Sequence, residues 1–236
     1  MAENPLYERT ALLIGAEKCR ILSEKCVLIV GTGGVGGAAV EFLARAGIGK
    51  LVLVDGDDVD DTNRNRQFSA LTSTVGKSKV GVWQARCREI NPDIIIEPVE
   101  KFLRSPEDIA ELLDCARCDF AIDAIDEMQP KIELISALYH RHIPFVSSMG
   151  AGGKVDPGAV QSGDISKSYG CPLARNVRKL LREREIAKGV KCIFSPEPPL
   201  RKFEQRKIGS LSYIPAIFGA FCAKEAIFSL LQENFT

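Results

Sequence analysis

The sequence predicts an α/β protein: a mostly parallel sheet with helices on both faces, followed by a C-terminal extension of strands and helices. Three observations predict it. Short aliphatic runs alternate with stretches of helical periodicity through the first 150 residues. The first run, Cys26-Val-Leu-Ile-Val30, passes directly into Gly31-Thr-Gly33-Gly34-Val35-Gly36-Gly37 and then a helical stretch to Ala46. A second run, Leu51-Val-Leu-Val, ends in Asp55, nineteen residues past Gly36.

Together these form a nucleotide-binding βαβ unit of Rossmann-like type. Glycines at 31, 33 and 36 allow a tight turn, close approach of backbone to phosphate, and packing of helix on strand, and Gly34 lies in the same loop. The helix start presents unpaired N–H groups to an anion. Asp55 stands where ribose hydroxyls could donate to its carboxylate.

At 236 residues the chain is long enough for one large domain and short for two. We read residues 1–236 as one domain, with a nucleotide-binding core over 6–150 and a substrate-binding extension over 151–236. Apolar residues make up 45% and charged residues 26%, an ordinary globular composition. The N-terminal residues lack a basic stretch followed by an apolar run, and no segment approaches a membrane span of about 20 apolar residues. A cytoplasmic protein without membrane attachment is expected. The eight cysteines are scattered, so reduced thiols are expected. Only Cys115-Ala-Arg-Cys118 has metal spacing, and without a second C-x-x-C no structural zinc is expected.

A helix is predicted over residues 6–23, carrying Arg9. After Asp55 an acidic turn leads to Asn63-Arg64-Asn65-Arg66-Gln67, at the strand edge where open parallel sheets bind ligands. One helical turn there would aim Asn63, Arg66 and Gln67 at one spot, suited to holding and polarising a triphosphate. Lys79 opens the next helix as a second phosphate cation. A strand is predicted over 94–99 and a helix over 106–115. The next run, Asp119-Phe-Ala-Ile-Asp123-Ala-Ile-Asp126, ends in two carboxylates, one of which could hold magnesium on ATP phosphates. A helix over 129–142 and a strand over 143–147 follow.

Beyond Met149 the βαβ rhythm is expected to stop, leaving a short strand within 157–165, a helix over 172–186, a mobile loop over 195–207 and an apolar helix over 216–231. The formal net charge is zero but uneven. Residues 51–130 hold 17 acidic and 9 basic side chains, whereas 175–207 hold 11 basic and 4 acidic. Arg175, Arg178, Lys179 and Arg182 fall mainly on the polar side of their helix, and this density favours RNA or another polyanion.

The combination Gly31-x-Gly33-Gly34-x-Gly36, Asp55, Asn63-x-x-Arg66-Gln67, Lys79 and Asp126 resembles the ATP-dependent adenylation domain of the ubiquitin-activating-enzyme-like superfamily, which includes the ThiF and MoeB proteins. That resemblance implies a homodimer in which ATP adenylates a substrate carboxylate. It implies that Asp55 binds ribose, that Asn63, Arg66, Gln67 and Lys79 meet the phosphates, and that Asp126 holds magnesium. By the same resemblance Arg9 reaches into the partner subunit's site.

The chain departs from the sulfur-carrier activators in lacking their paired zinc motifs. Tyr169-Gly-Cys-Pro-Leu-Ala-Arg175, the basic helix after it, and Gly209-Ser-Leu-Ser-Tyr-Ile-Pro-Ala216 look like the tRNA threonylcarbamoyladenosine dehydratase branch. Its members activate the carboxylate of the threonylcarbamoyl group on a tRNA adenosine, and cyclisation expels AMP. Such a reaction requires no enzyme cysteine, although Cys171 or Cys192 could serve a thioester-forming role. Three other readings fit parts of the pattern: an adenylyltransferase for the C-terminal glycine of a ubiquitin-like sulfur carrier, an NAD-dependent oxidoreductase, and a non-catalytic RNA-binding adaptor.

Overall fold

In the computed structural model, which describes residues 5–201 and 208–232, the aliphatic runs become neighbouring strands. They are β1 (Cys26–Val30), β2 (Lys50–Val54), β3 (Ile95–Val99), β4 (Phe120–Asp123), β5 (Phe145–Ser148), β6 (Gln161–Asp164) and β7 (Lys191–Phe194). All lie in one sheet ordered β3-β2-β1-β4-β5-β7-β6, parallel except where β6 pairs antiparallel with β7. Pro98 is tolerated in β3 because that strand is an edge, where a missing N–H breaks no inner ladder.

Strand residues alternate between two layers, as the two-residue period requires. Val27, Ile29, Leu51 and Leu53 face one apolar cluster with α2 (Ala16–Ser23), α3 (Gly34–Ala46), α4 (Lys79–Ile90) and α8 (Tyr213–Leu230). Leu28, Val30, Val52 and Val54 face the other, with α5 (Pro106–Ala116) and α6 (Met128–His140). A third cluster joins α6 to α7 (Pro172–Arg182) through Ile132, Val177, Leu181 and Cys192. Contrary to the expectation that no segment approaches a membrane span, helix α8 is long and apolar enough to cross a bilayer by length and composition, because it runs from Tyr213 through the predicted apolar stretch. Here it is a core helix: Phe218, Cys222 and Ala226 are fully buried, and Gly219 lets its backbone approach Val35 and Ala38 of α3.

Four boundaries differ from expectation. The single helix over 6–23 is two, α1 (Glu8–Ile14) and α2, because Gly15 sits at φ +90° between them. The βαβ rhythm does not stop at Met149: β5, α7 and β7 form one more parallel crossover, with Ser147 opposite Cys192 and Ser148 opposite Ile193. Residues 191–194 lie within the basic 175–207 stretch by composition, yet they form a strand. Helix α7 ends at Arg182, and Glu185 takes a left-handed conformation at φ +63°. The expected mobile loop is pinned over its described part. Lys154 Nζ donates to the carbonyls of Ser195 and Glu197, and the Glu197 carboxylate accepts from the N–H groups of Val155 and Asp156. Lys202, Arg206 and Lys207 lie outside the described residues.

The chain reverses direction between β1 and β4, which are adjacent although far apart in sequence. Parallel sheets open a crevice beyond the C-terminal ends of such a strand pair.

Candidate active site

The glycine loop fills that crevice from the β1 side. Gly31 sits at φ +85°, and a methyl group there would stand 2.7 Å from the Ala124 carbonyl oxygen, just beyond β4. At Gly36 the added carbon would stand 1.8 Å from the Gly31 carbonyl. Neither position admits a side chain. Helix α3 starts after Gly33 with no side chain capping it, so its first N–H groups are free for an anion. Trp83 Nε1 donates to the Thr32 carbonyl and supports the loop from below.

Asp55 meets the same loop. Its Oδ2 accepts from the Thr32 backbone N–H at 2.7 Å and from the Thr32 hydroxyl at 3.0 Å, while Oδ1 accepts from Asp57 N–H. The carboxylate therefore braces the glycine turn, and its side chain is only 9% exposed. Lys79 is buried, not a surface lysine: its Nζ lies 2.7 Å from Asp57 Oδ2 and 3.9 Å from Asp55 Oδ1. A three-donor ammonium beside a glycine loop is placed to exchange a carboxylate partner for a phosphate oxygen.

Asn63, Arg66 and Gln67 do share one turn, but it is a 3-10 turn over Asp61–Asn63 and its continuation rather than an α-helix. Asn63 Oδ1 faces back to accept from Asp60 N–H, closing a capping box, so this amide helps to shape the turn. Arg66 Cγ lies 3.6 Å from where a Gly34 Cβ would be, and its Nη1 donates to the Thr62 carbonyl and Asn65 Oδ1. Gln67 is 7% exposed, lies against the open face of Gly33, and its Oε1 is buried without a hydrogen-bond partner. Buried amide oxygens left unpaired are costly. This orphaned acceptor beside a glycine cradle fits a bound nucleotide.

The two carboxylates after β4 have separate fates. Asp123 is fully buried and ion-paired with Lys131 at 2.7 Å. Asp126, three residues on, is exposed at the rim. No group of three metal-ligating side chains occurs among the described residues. A lone rim carboxylate fits magnesium, an ion that completes its octahedron from phosphates and water rather than from a protein cage.

On α7 the basic residues divide. Arg175, Arg178, Lys179 and Arg182, with Glu183, line an open hollow of about 410 Å3. Arg178 Nη1, however, donates to the carbonyls of Ile165 and Ser168 and to the Ser168 hydroxyl, so this side chain also ties α7 to the preceding turn. Helix α7 begins beyond the C-terminal end of β5, where Leu173 and Cys171 approach Gly150. Arg9 is exposed on α1.

All eight cysteines are free thiols. Cys171 and Cys192 are buried, and burial pushes the Cys192 thiol up to about 12, which disfavours a thiolate. The Cys115–Cys118 pair is divided by Arg117, which ends α5 in a left-handed conformation. Sequence reasoning missed Thr32, Asp57, Trp83 and Lys131, whose roles depend on contacts between distant segments. Only the acidic run around Asp57 hinted at its part.

The chain matches the ThiF family model over residues 7–236. It is 38% identical over 243 residues to the tRNA threonylcarbamoyladenosine dehydratase of Bacillus subtilis (strain 168), covering 96% of this chain and 95% of that one. The protein of the same name from Escherichia coli (strain K12) is 39% identical over 195 residues, 80% of this chain and 72% of that one. A crystal structure of the E. coli tRNA N6-threonylcarbamoyladenosine dehydratase TcdA in complex with ATP superposes with a TM-score of 0.89 at 35% identity, covering 96% of this chain and 93% of that one. The chain therefore belongs to the ThiF family, and over nearly its full length it is similar to members named tRNA threonylcarbamoyladenosine dehydratase.

Proposed function

We propose that the protein is an ATP-dependent dehydratase of modified tRNA. It adenylates the carboxylate of the threonylcarbamoyl group on a tRNA adenosine and promotes cyclisation of that group. The observation that carries this reading is the meeting of Lys79, Arg66 and the unpartnered Gln67 acceptor around a glycine loop at the strand reversal.

A carboxylate is a poor electrophile because its charge repels nucleophiles. Its oxygen attacks the α-phosphorus of ATP, the bond to the β-phosphate oxygen breaks, and pyrophosphate leaves. Lys79 and Arg66 stabilise the negative charge that accumulates during this displacement. Asp126 would hold magnesium, which would supply further charge neutralisation at the phosphates. Asp55 orients the ribose, and the free N–H groups at the start of α3 hold a phosphate. A nucleophile already present in the threonylcarbamoyl group then attacks the activated carbonyl and AMP departs. Folding that group so that nucleophile and carbonyl meet makes the step a proximity-driven cyclisation, with the nucleophile's proton passing to solvent, and no enzyme thiol takes part, in keeping with the buried Cys192.

Arg175, Lys179 and Arg182, which line one open hollow on α7, offer tRNA phosphates a basic patch. The protein acts as a homodimer with Arg9 completing the partner's site. Helix α1 has no buried residue, and Leu12 and Leu13 are 76% and 86% exposed beside Arg9, a face suited to a second copy. Eight free thiols support a reducing, cytoplasmic setting.

ATP–pyrophosphate exchange tests the reading. Exchange is expected with tRNA carrying the threonylcarbamoyl group and not with tRNA lacking it or with a carrier protein ending in Gly-Gly. Exchange only with the carrier rejects it.

A further inference from the structure

Lys131 is fully buried in the first turns of α6, an unusual place for an ammonium. Its Nζ donates to Asp123 Oδ2 at 2.7 Å and to the Ile125 carbonyl at 2.9 Å. Asp123 is itself saturated: Oδ2 also accepts from the Ser147 hydroxyl at 2.6 Å, and Oδ1 accepts from Ile125 N–H at 3.0 Å. Both backbone groups of Ile125 are thus held by one buried ion pair. A pair of apolar residues of similar volume would fill this space without desolvating two charges, so the ion pair is not explained by stability alone.

What it does locally is fix a peptide plane. The Ile125 carbonyl belongs to the peptide bond joining Ile125 to Asp126, and Ala124, one residue before, is bonded through its N–H to the Val30 carbonyl and touches the glycine loop. The turn between β4 and α6 is therefore held at two successive residues, Ala124 and Ile125, and the exposed Asp126 follows directly on the peptide plane that Lys131 holds.

We propose that Lys131 is a positioning residue for the metal-facing carboxylate: through the Ile125 carbonyl it sets the direction of Asp126 toward magnesium on the ATP phosphates. This rests on the reading of Asp126 given above. Groups that orient a metal ligand in this way, without touching the metal, alter its affinity when removed by about 10-fold or more.

The test is calorimetric titration of the full-length protein with ATP in the presence and absence of magnesium. K131M/D123N removes both charges together and leaves no unpaired buried ion; K131M/D123L, an apolar pair in the same space, is the second variant should the first fail to fold. Each is expected to bind metal-free ATP like the parent but to lose about 10-fold of the tightening that magnesium brings. S147A removes a hydrogen bond from the same buried cluster without touching Ile125, so it should lower the melting temperature and keep the magnesium effect. If S147A and K131M/D123N change the magnesium effect equally, or neither changes it while D126N abolishes it, the positioning role is overturned and the reading of Asp126 stands. If D126N itself leaves the magnesium effect intact, both fall.

Discussion

In the proposed reaction Lys79 is a side chain held in place before substrate arrives. Its ammonium rests between Asp57 and Asp55, buried and oriented, so that little reorganisation is needed when a phosphate replaces the carboxylate. K79A is expected to lower kcat/KM by about 100-fold, the usual cost of removing one preorganised charge-stabilising group. Its melting temperature should fall, but less than for a fully buried pair, because Asp57 is half exposed and Thr32 still holds Asp55. Steady-state pyrophosphate release together with thermal melts checks both halves of that expectation. The residue types that carry this chemistry were readable from the sequence. The partners that orient them were not, because Asp57 and Lys79 come together only when the excursion between β2 and α4 folds back on itself.

At the scale of elements, α7 and α5 make contrasting predictions. Arg182 and Lys179 point into the open hollow, whereas Arg178 bonds the 165–168 turn. R182E or K179E should therefore weaken tRNA binding at every sequence and reduce the slope of log affinity against log salt by about 1 per lost phosphate contact. R178A should also lower thermal stability. Filter binding across a salt series and melting curves separate the two effects.

Helix α5 begins in a capping box in which Asp108 accepts from the N–H groups of Arg104 and Ser105. The hydrogen bond from Lys101, with those backbone donors, holds the Asp108 carboxyl at about 2. A carboxyl lowered on folding contributes stability that is fully present above its unfolded value near 4 and is lost as pH falls through about 2. D108N should melt below the parent at pH 7, and the gap should close as pH falls from about 4 to about 2. A gap that persists unchanged through that window would remove Asp108 ionisation as its source.

Across the whole molecule, the position of the site follows from the strand reversal between β1 and β4, which brings Gly31 and Ala124 into contact although they lie on separate crossover units. One helix stands outside this arrangement. Helix α1 touches the main core through Ile14 but has no buried residue, and it leaves Leu12, Leu13 and Arg9 exposed. If a second copy covers this face, R9A and D126N should each be inactive alone but regain activity when refolded together, because one site of the mixed dimer then has both residues. L12D/L13D should shift the sedimentation coefficient from dimer to monomer and abolish that complementation. Failure of the mixture to recover activity would place Arg9 outside the partner's site.

The sequence by itself determined the nucleotide-binding half. Glycine spacing, strand periodicity and the carboxylate at Asp55 are local patterns, imposed by backbone sterics and by the alternation of faces along a strand. Only the tertiary structure decided the rest. It decided that 191–194 is a buried strand, since a four-residue run has no period long enough to declare itself and is stabilised by β5 and β6 beside it. It separated Asp123 from Asp126, one buried against Lys131 and one open, because burial depends on α6 closing over the end of β4. It assigned Arg178 partly to packing for the same reason: its acceptors, although only 10 and 13 residues away, face it only once α7 docks against their turn.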